Sequence, residues 1–275
     1  MMMSNALQQA RILYQTPTAL VMQTTAGVFG KFADGDLYGE FNVGLHVADE
    51  PSDVLVRRAA LLDYLNRFGD VYAINWLNQV HGDALVNVGD QVSLMAPSAD
   101  ALMTHQAGRA LAIMTADCVP VAIISHDKQA PIACIHAGWQ GLVQGVIAKT
   151  VSRLRQTHAD TQFFAVIGAH ISQNCYEITH ELADSIIAQI HDSQLTLLND
   201  HKLYASIIKN GSSEGKCSID LTQLTKLELE KLGLTVFNDV MPCTYQDAQY
   251  YSYRAQTHAK KSATGRMAMV VVKLA

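Results

Sequence analysis

The feature that most constrains the fold of this chain is a succession of short apolar, β-prone runs, each the length of one buried strand. They lie at 71–75, 84–88, 111–115, 119–124 and 132–136, and the chain closes on a continuous β-branched run at 267–274. The last of these, a continuous apolar run, suits a buried strand. Helical patterns alternate with them. Ser52 stands as an N-cap before Val54, Leu55, Leu61, Leu62, Leu65 and Phe68, with Gly69 as the stop. A second helix is predicted over 141–156, where Leu142, Val143, Val146, Ile147, Val151 and Leu154 keep helical spacing. A third begins at Asp220 with Leu221, Leu224 and Leu227. The class is α/β.

With 275 residues and 49% hydrophobic content the chain can bury a large core. One domain over 1–275 is expected, with residues 1–15 as a peripheral or poorly ordered segment. The polar stretch KNGSSEGK, 209–216, reads as a mobile loop too short to link domains. Net charge is −5 with acids and bases interspersed, which leaves no basic field for nucleic acid or an anionic membrane. The opening MMMSNALQQARILY has no signal-peptide pattern and no later run is long enough to span a bilayer, so a cytoplasmic location is expected. The cysteines, Cys118, Cys134, Cys175, Cys217 and Cys243, are odd in number and scattered, which predicts free thiols, some with metal or catalytic work.

Three segments combine a metal-capable side chain with glycine, tryptophan or acid: WLNQVHG with His81, ADCVP with Asp117 and Cys118, and IHAGW with His136. Two imidazoles and a thiolate suit a borderline-soft ion and leave a fourth tetrahedral position, the arrangement of catalytic zinc. The intervals of 37 and 18 residues match no local zinc spacing, however, so on spacing alone each residue reads as structural. Asp117 has two readings: it orients a ligand or accepts a proton, or it caps the turn before Pro120. Gly138 and Gly141 offer backbone approach for an anion at the helix that follows. His170 and Cys175 form a conceivable second, local ligand pair.

Taken together, these pieces resemble the YfiH family, also called laccase-domain or polyphenol-oxidase-type proteins. The matching segments are Asn42-Val-Gly-Leu-His46 with Asp49 and Arg58, WLNQVHG, Ala99-Asp100-Ala101, TADCVPV, IHAGW, Cys175-Tyr176-Glu177, Asp220-Leu221, Cys243-Thr244, Tyr251-Ser-Tyr-Arg254 and Thr264-Gly-Arg266. The resemblance implies a layered α/β/β/α sandwich and zinc held by His81, Cys118 and His136, with copper the less favoured ion. It also implies a purine-nucleoside enzyme that splits adenosine, inosine, guanosine or methylthioadenosine with phosphate and deaminates adenosine. Asp117, Cys118 and His136 are the catalytic candidates; Arg58, Gln79, Gln140, Arg254 and Arg266 are the substrate-binding candidates. The partners are then a small nucleoside and phosphate.

The chain departs from the family pattern at four places. Gln140 follows Trp139 where the family has arginine, Thr24-Thr25-Ala26-Gly27 replaces a threonine-arginine and double-glycine segment, Ala169 follows Gly168 in place of proline, and Arg57 replaces asparagine. Loss of a guanidinium at 140 removes a planar fork for phosphate, so phosphorolysis is expected to be weaker than deamination. Two other classes compete: a cysteine hydrolase acting on a peptidoglycan precursor with Cys118 as nucleophile, and a binding protein that has kept the fold without catalysis. A copper polyphenol oxidase is the least favoured, because it needs several histidine-rich sites.

Overall fold

The computed structural model describes residues 10–32, 35–89, 95–192, 201–238 and 240–275. Its strands are β1 (Arg11–Gln15), β2 (Ala19–Gln23), β3 (Ala73–Asn75), β4 (Leu85–Asn87), β5 (Ala101–Thr104), β6 (Arg109–Thr115), β7 (Val119–Ser125), β8 (Ile132–Ala137), β9 (Phe163–Ile167), β10 (Glu177–Thr179), β11 (Ile208–Asn210), β12 (Lys216–Ile219), β13 (Thr235–Val236) and β14 (Met267–Lys273). They form a five-stranded sheet, β1-β2-β14-β6-β3, a six-stranded sheet, β13-β9-β7-β8-β5-β4, and a small sheet, β10-β12-β11.

The alternation of side chains shows how the layers stack. On β14, Ala268, Val270 and Val272 pack with Leu61 and Leu65 of helix Pro51–Leu65. Met269 and Val271, which point the other way, meet Ala122, Ile124, Cys134 and Val166 of the larger sheet. The outer face of that sheet, carrying Val121, Ile123, Ala133 and Ile135, is covered by Ile147, Val151 and Leu154 and by Leu221, Leu224 and Leu229. The order is helix, sheet, sheet, helices, the expected α/β/β/α sandwich. Both faces of β6, β7, β8 and β14 are buried along their whole length, which is why these runs carry no polar alternation. Each fully buried Val, Leu or Ile there contributes roughly 1.5–3 kcal/mol.

Several local expectations are corrected. Ser52 is not the N-cap: Glu50 holds that position and Pro51 opens the helix, where its missing N–H costs nothing. Asn66, not Gly69, ends that helix, with its amide bonded to Leu62 O and Val71 O. The helix expected over 141–156 is two helices, Trp139–Val143 and Val146–Arg155, because Gly145 takes a left-handed conformation (φ 79) between them. The stretch 209–216 is no free loop; it closes the β11–β12 hairpin, pinned by Ser212 N–H on Glu177 Oε1. Asp220 caps helix Leu221–Lys231 as expected, accepting from Gln223 N–H at 2.9 Å. Of residues 1–15, 11–15 form the edge strand β1, and 1–9 lie outside the described residues. Among the described residues, no helix is long and apolar enough to cross a membrane.

Glu228 is the unexpected charge in this core. It is 6% exposed and accepts Ala148 N–H at 3.2 Å, and burial pushes its carboxyl up from 4.5 to about 7. Between those two values the folded chain holds a proton that the unfolded chain has lost, so stability falls as pH rises from 4.5 to about 7. Glu228→Gln keeps the acceptor without the charge. It should match wild type at low pH and exceed it by up to roughly 3 kcal/mol at alkaline pH in urea titrations. A difference that does not change with pH would contradict this.

Candidate active site

The alternation that buries Ile132 and Cys134 between the sheets carries His136 onto the same face at the end of β8, and Pro120 of β7 is its register partner. Cys118 sits in the turn just before β7, and His81 in the loop between β3 and β4. The ligand atoms of His81, Cys118 and His136 all lie within 4.8 Å of one another, the one such group of three found among the described residues. The two imidazole rings meet edge to face with centroids 4.8 Å apart. His136 is 3% exposed, Cys118 is half-buried and His81 is exposed, so the cluster opens to solvent on one side.

Asp100 organises two of the three. Fully buried at the start of β5, it bonds His136 Nδ1 at 2.8 Å and accepts the N–H groups of His81 (3.0 Å), Gly82 (2.7 Å) and Val80 (3.2 Å). With Asp100 ionised, Nδ1 of His136 carries the proton and Nε2 is left for the cluster, the carboxylate–histidine arrangement that orients metal ligands. Burial works against the carboxylate, but His136 and the Gly82 and Val80 amides outweigh it and lower its pKa. The sequence reading did not single out Asp100 as a site residue. The signal was there, since an acid leading directly into an apolar strand has to be paired.

Backbone strain marks the same place. His81 (φ 58) and Asp117 (φ 100) are two of the four non-glycine residues at positive φ among those described. Gly138 has a steric reason: a Cβ there would stand 3.1 Å from Cys118 Sγ and 3.4 Å from His81 Cδ2. At Gly141 a Cβ would lie 3.1 Å from Gly82 O. Close packing around the triad, rather than access for an anion, accounts for both glycines.

Burial opposes ionisation of the Cys118 thiol, yet the charge and hydrogen bonds of His136, aided by His81, bring its pKa down to about 6. In His136, burial is outweighed by Cys118 and Asp100, and its pKa rises to about 9. With no cation present, the two groups stabilise each other as thiolate and imidazolium. Two nitrogens, one thiolate, clearance from Gly138 and orientation by Asp100 fit an ion that prefers N and S ligands, with one position left over.

The remaining candidates divide. Arg266 acts electrostatically with Cys118 and Asp117, and both Arg266 and Arg58 act on His46, which also feels His81; burial and these charges lower the pKa of His46, so the two guanidiniums are the cations on this side of the triad. Arg58 is stacked on Trp76 at 4.0 Å and donates to Val43 O at 2.9 Å, and burial lowers its pKa to about 10. Tyr176 feels the charge of Cys118 and lies under Arg254, whose guanidinium donates to Glu177 O at 2.7 Å. Gln79 faces no open site: its amide exchanges two 2.8 Å bonds with the Met114 backbone and so anchors the His81 loop. Gln140 is exposed on the first turn of helix Trp139–Val143. Asp117 accepts from Thr244 Oγ1 at 2.6 Å and from Arg254 N–H at 2.7 Å, tying the Cys118 turn to two distant segments rather than capping its own. His46, like Asp100, is a site neighbour that lay in a quoted segment without being assigned.

His170 and Cys175 do not form a ligand pair. His170 is 4% exposed, with one ring nitrogen on Gly168 O at 2.7 Å and the other on Thr222 Oγ1.

Residues 25–273 match the family described as multi-copper polyphenol oxidoreductase laccase. The chain is 30% identical over 237 residues to a purine nucleoside phosphorylase of Corynebacterium glutamicum, covering 85% of this chain and 87% of that protein. It is 30% identical over 236 residues to the purine nucleoside phosphorylase YfiH of Shigella flexneri, covering 85% and 86%. A crystal structure of a Neisseria meningitidis protein superposes with a TM-score of 0.71 at 26% identity, over 95% of this chain and 98% of that one. On family match, sequence identity and fold together, this chain belongs to the YfiH family.

Proposed function

We propose that the chain is a zinc-dependent purine nucleoside enzyme, cleaving adenosine, inosine, guanosine and methylthioadenosine with phosphate and deaminating adenosine. The observation that carries this reading is an N/S triad within electrostatic reach of the Arg266 guanidinium, with Arg58 and Arg266 both acting on His46, so that charge for an anion and ligands for a metal share one site. The names of the relatives at 30% identity support the same substrate class. His81, Cys118 and His136 would hold the ion, which when bound supplies Lewis acidity and lowers the pKa of water. One three-ligand group among the described residues favours this over the several coppers of a multi-copper oxidase.

In this reading Asp100 keeps His136 in one tautomer and the His81 loop in place. Asp117 is a positioning residue, since both its oxygens are held by protein donors. Arg266 and Arg58 balance phosphate charge, and with Gln140 in place of arginine phosphorolysis is the slower of the two reactions. Arg266→Gln is expected to raise the KM for phosphate roughly 10–100-fold, the loss of one charge-assisted hydrogen bond, while phosphate-independent deamination keeps its kcat. Equal losses in both reactions would place Arg266 elsewhere.

A second reading has its own observation. Cys118, His136 and Asp100 line up as thiol, imidazole and carboxylate, the order of a cysteine hydrolase. A panel of adenosine, inosine, guanosine and methylthioadenosine, with and without phosphate, run beside elemental analysis, tests the proposal. Stoichiometric zinc with chelator-sensitive nucleoside turnover supports it; chelator-resistant amide hydrolysis with a covalent adduct on Cys118 overturns it in favour of the hydrolase. No turnover of any nucleoside leaves the non-catalytic class.

A further inference from the structure

Beyond Asp117 lies a second group of reactive side chains that the metal centre does not use. Cys243 and Cys175, both half-buried, come from segments far apart in sequence and meet at Ser172, whose N–H donates to the Cys243 sulfur and whose carbonyl accepts Cys175 N–H at 3.0 Å, and the two sulfurs act on each other electrostatically. The Cys243 sulfur receives Ser172 N–H at 3.3 Å and Ser172 Oγ–H at 3.1 Å. The ammonium of Lys31, 5% exposed, is held by the carbonyls of Thr244, Tyr245 and Asp247 and acts electrostatically on both sulfurs. Burial lowers the pKa of this lysine to about 8, and its charge acts on Asp117 and Asp247 first and on the two sulfurs after them.

This environment treats the two sulfurs differently. For Cys243, burial disfavours the thiolate but the donors from Ser172, Gln246 and Tyr245 prevail and lower its pKa; for Cys175, burial and the neighbouring Cys243 raise it. Two thiols without a third ligand do not make a metal site, and neither belongs to a three-ligand group among the described residues. One sulfur stabilised as the attacking thiolate beside one kept protonated is instead the division of labour in a redox dithiol.

We propose that Cys243 and Cys175 form a redox-active dithiol whose substrates are low-molecular-weight disulfides. The Cys243 thiolate attacks one sulfur of the external disulfide, forming a mixed disulfide and releasing one external thiolate. Cys175 then gives up its proton and attacks the Cys243 sulfur, releasing the second external thiolate and closing a Cys175–Cys243 bond. Two protein thiols are oxidised, one external disulfide is reduced, and the two protein protons end on the released thiols. The chemistry is independent of the nucleoside reaction.

The test is to incubate the reduced full-length protein with oxidised glutathione, alkylate the remaining thiols and map the peptides. Wild type should yield a linked Cys175–Cys243 peptide pair that dithiothreitol reverses. Cys175→Ser should accumulate glutathione on Cys243, Cys243→Ser should leave Cys175 reduced, and Ser172→Ala should slow adduct formation several-fold. Glutathione on both cysteines without a link, or modification of Cys175 in Cys243→Ser at the wild-type rate, would overturn the proposal. So would recovery of both thiols fully alkylated. The wild-type mapping decides the matter even where a variant does not fold.

Discussion

His81→Gly should lose tightly bound metal and lower nucleoside turnover by roughly a thousandfold, several kcal/mol of transition-state stabilisation, while the apo-protein keeps its fold. The backbone explains why this variant separates function from stability. His81 sits at φ 58, a conformation glycine adopts without steric cost, and its side chain is exposed. The apo-form melting free energy is therefore expected to stay within about 1 kcal/mol of wild type. Metal content by elemental analysis and unfolding by denaturant make the comparison. Global unfolding of the variant would mean that the imidazole holds the loop rather than an ion. Cys118→Asp is the complementary change: a carboxylate can still ligate, so part of the metal and turnover should persist, whereas a nucleophile would be lost outright.

Asp100→Asn should be the most damaging single substitution to the site's framework. The carboxylate has no exposure and serves four donors at once, three of them successive backbone N–H groups of the His81 loop. An amide can accept with its oxygen, but its NH2 would face donors. The expected cost is about 3–5 kcal/mol of stability, as for breaking a buried charge pair, together with a 10–100-fold loss of metal affinity. Denaturant titration and metal competition measure the two separately. A variant with normal stability and normal metal affinity would show that Asp100 does not organise the ligands.

The α/β class and several strands were legible because burial on both faces leaves its mark in composition, whereas the layered sandwich was expected from the family resemblance. β6, β7, β8 and β14 were each predicted within a few residues as apolar runs. Strands β2, β5 and β9 escaped notice, although all are buried along their length, because nothing in their short flanks announces a boundary. The helix starts went wrong where chemistry permitted more than one solution. Ser52 can cap, but Pro51 at the first helical position takes precedence, and no periodicity announces the left-handed Gly145 that divides one expected helix into two.

What the sequence by itself determined was the buried strands β6, β7, β8 and β14, the Asp220 cap and the inventory of metal-capable side chains, since each depends on residue type and near neighbours. What only the tertiary structure decided was their meeting. Intervals of 37 and 18 residues carry no ligand geometry; His81, Cys118 and His136 converge because register sets Pro120 beside His136 and because Asp100 draws the His81 loop onto β8. The same holds for Gln79, whose amide is taken up by Met114, for Asp117, whose partners Thr244 and Arg254 lie more than a hundred residues downstream, and for Cys175, which meets Cys243 rather than His170. Long-range contacts of this kind follow from strand pairing and layer packing, and no local pattern encodes them.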